Sequence, residues 1–208
     1  MRMSGQERRE QLIRVGRSVF AERGYTAATV EEIAERARVS KPIVYEHFGG
    51  KDGLYAVIID REVRDVIARI RDALDATGPR QALERAADAF LSYIEDERDG
   101  FRVLVRDAPI GKSPGSLAGV IADIAAQVEG LLAREFSERG YDRRIAPVMA
   151  RALVGMVALT GQWWLEVGKP SRKVVAAHLV NLAWNGLRDL EKDPVGRARH
   201  RAEGAREA

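Results

Sequence analysis

The residues with the most chemical content sit in one short window. Lys41, Pro42, Ile43, Tyr45 and His47 share a face of the segment 41–48, while Val44 and Phe48, at i and i+4, point the other way. An ammonium, a phenol and an imidazole beside the apolar Pro42 and Ile43 are tools for holding phosphates and touching thymine methyls in a major groove. Thr29 and Ser40 each stand just ahead of a helical pattern. Each can therefore cap a helix whose open N–H groups and dipole favour an anion. The expected division of labour has Lys41, Ile43 and Val44, with Pro42 against a thymine methyl, reading base edges. Thr29, Ser40, Tyr45, His47 and Lys51 are expected to anchor phosphates.

Bond-making chemistry has no comparable constellation. The three histidines, His47, His178 and His200, lie far apart and have no Asp, Glu or second His at a metal-ligand spacing on a common helical face. Catalysis needs at least a base and a partner in a cleft, so neither an enzyme nor a metal or cofactor is expected. Gly111-Lys112-Ser113 resembles the end of a phosphate-binding loop, but Arg106 stands where that motif needs glycine, and no strand precedes it.

The elements that position the window follow from local signals. Val30, Ile33, Ala34 and Ala37 repeat at helical spacing after the Thr29 cap, and a connection of a few residues, Arg38 to Ser40, leads into the helix 41–48. Two short helices joined so tightly read as a helix-turn-helix. Ahead of them, a helix over about 6–23 places Leu12, Val15, Gly16, Val19 and Phe20 on one face, with Gly24 as its stop. Gly49 and Gly50 end the second short helix, and Lys51 opens a long amphipathic helix to about residue 77.

The window resembles the DNA-binding domain of the TetR family of transcriptional regulators. The resemblance rests on Phe20, Gly24 and Tyr25, on the cap Thr29, on the run ending in Val39-Ser40, on Tyr45-x-His47-Phe48, and on Lys51 opening a helix. It covers the first quarter of the chain closely, and the remainder through length and helical pattern. It implies a three-helix head (1–51), a helical ligand-binding and dimerisation body (52–190), and a homodimer whose last two helices form a four-helix interface. Gly155, Leu159, Leu179, Leu182 and Gly186 are the expected dimer contacts.

The resemblance also implies a ligand cavity inside each body. Where the body helices would converge, the expected lining is Ile67, Ile70, Phe90, Tyr93, Ile94, Leu104, Val120, Met156, Thr160 and Trp163, with Arg102, Arg106 and Asp107 as orienting polar groups. An apolar lining with aromatics favours a hydrophobic or flat aromatic effector.

The rest of the chain is read as helix without strand: about 80–97, 101–107, 117–139, 143–167 and 171–190, for an all-α fold of about nine helices. Asp99 and Gly100 look like punctuation, and 108–116 reads as the one long loop. The apolar run 152–165 is too short to span a bilayer by itself, so it is expected to be a core or interface helix, buried on every side. The last residues, 191–208, have no apolar period and are expected to be disordered.

Composition narrows the class. Of 208 residues, 46% are apolar and 31% charged, and there is no cysteine, which suits a reducing cytoplasm. The first ten residues carry no apolar signal region. Residues 1–51 hold ten Lys/Arg against seven Asp/Glu and so carry a net +3, the footprint of a small nucleic-acid head on a near-neutral body. The expected function is a sequence-specific regulator, most simply a repressor released from an inverted-repeat operator by a small molecule. An effector-independent DNA-binding regulator and a helical interaction module remain the alternatives.

Overall fold

The computed structural model describes residues 3–75, 78–106, 117–188 and 190–191. Asp107, the loop 108–116 and the tail from 192 lie outside them. Among the described residues there are nine α-helices and no strand: α1 (Gly5–Ala27), α2 (Val30–Arg36), α3 (Lys41–Phe48), α4 (Lys51–Leu74), α5 (Pro79–Asp96), α6 (Arg98–Arg106), α7 (Leu117–Glu138), α8 (Ala146–Val167) and α9 (Arg172–Arg188). A single 3₁₀ turn, Arg143–Ile145, leads into α8.

Helix α1 begins with a capping box. Ser4 Oγ accepts from the Glu7 amide at 3.2 Å, and the Ser4 amide donates to Glu7 Oε2 at 2.7 Å, so two otherwise open donors are satisfied. The helix breaks at Gly24 (φ 78°) and one further turn follows it. Leu12, Val19, Phe20, Ile33, Val44 and Leu54 are fully buried and close the core of the head. That core continues without a gap through Ile58 and Val66 of α4 into the body, where Leu91, Phe101 and Leu104 extend it.

Two expectations about the body change. Asp99 and Gly100 do not punctuate: they lie inside α6, separated from α5 only by Glu97. Gly100 is there for close packing, because a Cβ on it would lie 1.9 Å from Glu62 Oε2. Helix α8 is not buried on every side within one chain. Its small residues Ala146, Ala150, Ala158 and Gly161, with Trp164 and Leu165, face the body, whereas Val148, Leu159, Trp163 and Val167 are exposed. The helical stretch Arg143–Val167 extends beyond the apolar run and holds an 18-residue window of mean hydropathy 1.4, so by length and composition alone it is apolar enough to cross a bilayer, a test that the core helix of a soluble protein also passes.

Candidate nucleic-acid interface and interior cavity

Helix α3 is carried on the outside of the head by its contacts with α2 and α4. The connection from α2 closes with the Val39 amide donating to Ala34 O at 2.9 Å, and Arg38 turns the chain at φ 55°. Gly49 ends α3 in the left-handed conformation (φ 72°), and Gly50 follows at φ 128°, a pair of angles that only glycine adopts without strain. Lys41, Pro42, Tyr45 and Glu46 are exposed and form the outward face of the helix, His47 is half-buried, and Ile43 is half-buried with part of its side chain packed against the head core. Half of Tyr45 is open to solvent, and its ring lies along Gly50, where a Cβ would approach it to 3.3 Å.

Val44 must be removed from the reading set. It is fully buried in the head core and cannot reach a base edge, as its place four residues before Phe48 already implies. Lys51 also changes role. Its Nζ donates to Tyr25 O at 3.0 Å and to Ala28 O at 3.1 Å, and stands 4.4 Å from the Tyr25 ring centroid. Two of its three donors therefore staple the end of α1 to the start of α4, and one is left for a phosphate. Tyr25 in turn donates its phenol hydrogen to Asp52, which holds that phenol above its ordinary range.

The two caps are unequal. Thr29 Oγ1 accepts from the Glu32 amide at 3.2 Å, whereas Ser40 occupies the N-cap of α3 without a side-chain cap bond. Beside Thr29, the first turn of α2 carries Glu31 and Glu32, so the helix start expected to face a phosphate is flanked by carboxylates. Both are paired: Glu32 with Arg36 at 2.7 Å, and Glu31 with Lys41. The hydrogen bond from Lys41 holds the Glu31 carboxyl below the usual carboxylate range, and the same bond raises the Lys41 ammonium. Sequence reasoning missed this pair because its partners lie on different helices. The guanidinium of Arg9 also lies 4.5 Å over the Phe48 ring and packs α1 against the end of α3.

The body holds an apolar cavity of about 350 Å³. Of the expected lining, Ile70, Phe90 and Val120 are on its wall; Ile124 and Val128 of α7, Leu153 and Val154 of α8 and Trp184 of α9 join them. The other expected residues are elsewhere. Tyr93, Ile94 and Leu104 are buried in solid core, and Ile67 and Met156 pack half-buried against it. Thr160 is half-buried off the wall, and half of Trp163 faces solvent. Arg102 is exposed beside Asp99, and Arg106 Nη1 donates to Ala21 O at 3.0 Å and Glu22 O at 2.8 Å, tying α6 to α1. The reason is positional. The space near the head is filled by aromatic packing, and the gap opens towards the far end of α4 and the start of α5, at Leu74, Gly78 and Pro79. The polar groups at its edge are Arg134, Glu135 and Glu138 of α7.

Of the expected dimer contacts, Leu159 (68%) and Leu182 (64%) are exposed, and a Cβ on Gly155 or Gly186 would meet nothing within 4 Å. Leu179 is instead part of the chain's own core. Val148, Trp163, Val167 and Val174, not among the expected contacts, are exposed on the same two helices.

An exposed second helix of a helix-turn-helix on a three-helix head, joined through one long helix to an all-helical body, defines a helix-turn-helix type of DNA-binding architecture. Comparison with known proteins agrees. The family described as bacterial regulatory proteins, tetR family, matches residues 12–58, and the tetracyclin repressor-like C-terminal domain matches residues 79–186. The chain belongs to the TetR family of transcriptional regulators, and is a regulator rather than an enzyme. It is 34% identical over 188 residues to the HTH-type transcriptional activator FasR of Mycolicibacterium smegmatis, covering 89% of this chain and 85% of that one. It is 27% identical over 180 residues to the HTH-type transcriptional repressor Rv3405c of Mycobacterium tuberculosis, covering 80% and 88%. Among solved structures, a TetR-like transcriptional regulator from Rhodococcus sp. RHA1 superposes with a TM-score of 0.73 at 27% identity, over 90% of this chain and 100% of that one.

Proposed function

We propose that this regulator acts in the cytoplasm as a homodimer that binds an inverted-repeat operator through two copies of α3, and that a hydrophobic or aromatic small molecule in the body cavity releases it. The observation that carries the reading is an apolar cavity in the same chain as a complete, closed DNA head. Residues 1–51 serve as the DNA-binding unit and 52–190 as the sensing and pairing unit. The exposed apolar residues of α8 and α9 supply the second requirement, a surface that a copy of the chain can cover symmetrically. This assigns α8 to an interface between chains rather than to a bilayer.

On the operator, Lys41, Pro42 and Ile43 reach base edges, and Tyr45 and His47 lie beside phosphates, with Thr29, Ser40 and the remaining donor of Lys51 at the flanks. Two heads match one palindrome only when their separation is close to one helical turn, about 34–36 Å. A ligand that selects another separation therefore lowers operator affinity by its differential affinity for the two states, typically about 1–3 kcal/mol. Repression follows wherever the operator overlaps a promoter, since occupancy alone blocks transcription there.

The test is selection of the bound duplex from random sequence, followed by titration of operator complexes with a panel of apolar and aromatic molecules. The expected result is a palindrome released by at least one of them. Ile70→Trp, which fills the cavity, is expected to abolish release while sparing binding. A tightly bound molecule that leaves operator affinity unchanged would favour the effector-independent regulator, because equal affinity for both states shifts nothing.

A further inference from the structure

Where head meets body, the chain buries a charge. Glu62 of α4 is 6% exposed. Its Oε2 accepts from the Tyr93 hydroxyl at 2.8 Å, and its Oε1 accepts from Arg17 Nη1 at 3.1 Å. The same Arg17 nitrogen donates to Glu97 Oε2 at 2.7 Å. Arg17 belongs to α1 of the head, whereas Glu62, Tyr93 and Glu97 belong to body helices or their ends. Burial keeps the Tyr93 phenol protonated well above its ordinary range, so it stays a donor. The room for the carboxylate exists only because residue 100 is glycine.

Stability does not account for such a group. Buried ion pairs are commonly matched or bettered by well-packed apolar side chains of the same volume, yet losing one partner strands the other. What a buried, directional network supplies is a single arrangement. Apolar surfaces between α1 and α4 tolerate small rotations, but one Arg17 nitrogen shared between the Glu62 and Glu97 carboxylates, with Tyr93 on the second oxygen of Glu62, is satisfied over a narrow range of orientation only. The far side of the network reaches the cavity. Tyr93 meets Phe101 edge-on at 6.3 Å, Phe101 meets Phe90 edge-on at 5.7 Å, and Phe90 is on the cavity wall.

We propose that Glu62, held by Tyr93 and Arg17, is a positioning residue for DNA binding. It fixes the head's orientation on the body, and hence the half-site spacing that a two-headed assembly accepts. Phe90 places the cavity within reach of it. The inference rests on the two-headed reading above and assigns that reading its orienting contact.

The experiment uses the full chain and the palindrome it selects from random duplexes. Affinity is measured for that palindrome and for versions with one or two base pairs inserted or removed at its centre. The wild type is expected to lose about tenfold or more on a one-base-pair change, which rotates and displaces one half-site against the other. Tyr93→Phe, which keeps the ring, and Arg17→Met, which keeps the length but neither the charge nor the donors, are expected to bind the selected palindrome and to lose most of the spacing penalty. Two variants are used so that a folding defect in one leaves the other to decide, and melting temperature is recorded for both. Spacing penalties equal to wild type in a folded variant overturn the proposal, including in a variant that only melts earlier, since that marks a purely structural role. A wild type indifferent to spacing overturns the two-headed reading and the proposal together.

Discussion

The head and the body solve opposite problems. In the head, α1 and two short helices enclose a small core in which Leu12, Val19, Phe20, Ile33 and Val44 have no exposure, and α1, α2 and the start of α4 are tied by caps or by the Lys51 staple. In the body, the helices leave a cavity of about 350 Å³ inside and leucine and tryptophan side chains exposed outside. A finished unit needs only its DNA, whereas an unfinished one has room for a ligand and surface for a second chain. Uncovered apolar surface is the observation behind the pairing surface proposed above. The two halves of the family's function thus correspond to two packing regimes within one continuous core.

The largest expected effect tests the outer face of the body. Leu182→Arg places a charge on the proposed interface without touching the chain's own core. Sedimentation is expected to show monomers, and operator affinity to fall by about 10²–10⁴, because the second head loses its effective concentration. An unchanged dimer with unchanged affinity would mean that the exposed face is not the pairing surface.

Next comes the contrast between closed and open packing. Phe20→Ala in the fully buried head core is expected to cost about 3–5 kcal/mol in chemical denaturation. Ala158→Leu, on the wall of the body cavity, is expected to change stability by less than about 1.5 kcal/mol, since the added methylenes enter existing space. Equal costs would erase the distinction between the two regions.

Smaller effects sharpen the account of the head itself. Thr29→Ala is expected to cost about 1 kcal/mol, because Thr29 caps α2. Ser40→Ala is expected to stay within about 0.5 kcal/mol, because Ser40 makes no cap bond. The smallest concerns Glu31, whose carboxyl Lys41 holds below its ordinary range. A depressed carboxylate contributes above its unfolded value and loses that contribution as pH falls through the folded one. The pair therefore stays intact at neutral pH and opens only in acid. The midpoint of the Glu31 carboxyl carbon in an NMR titration is expected to rise in Lys41→Ala.

Local signals carried most of the fold. Helix spacing placed Val30, Ile33, Ala34 and Ala37 in the head core, and all four are buried. Helix starts and stops fell within a few residues of those observed, because caps, prolines and positive-φ glycines act over one turn. Asp99-Gly100 misled for an instructive reason: the glycine serves a side chain on another helix, Glu62, and not its own backbone turn.

The sequence by itself determined an all-helical chain with a basic, helix-turn-helix head and a second short helix whose Lys41, Pro42 and Tyr45 face outward. These are properties of residues a few positions apart, and the α-helical repeat converts such spacing directly into faces. Only the tertiary structure decided that Lys51 staples the head, that Tyr93 and Arg106 hold helices together instead of lining a cavity, and that the gap lies at Ile70, Phe90 and Val120. Periodicity states which side of a helix is apolar but not which helix meets it or at what height. Close contacts and voids arise from the relative offset of helices distant in sequence, and that offset is settled only when the whole core packs.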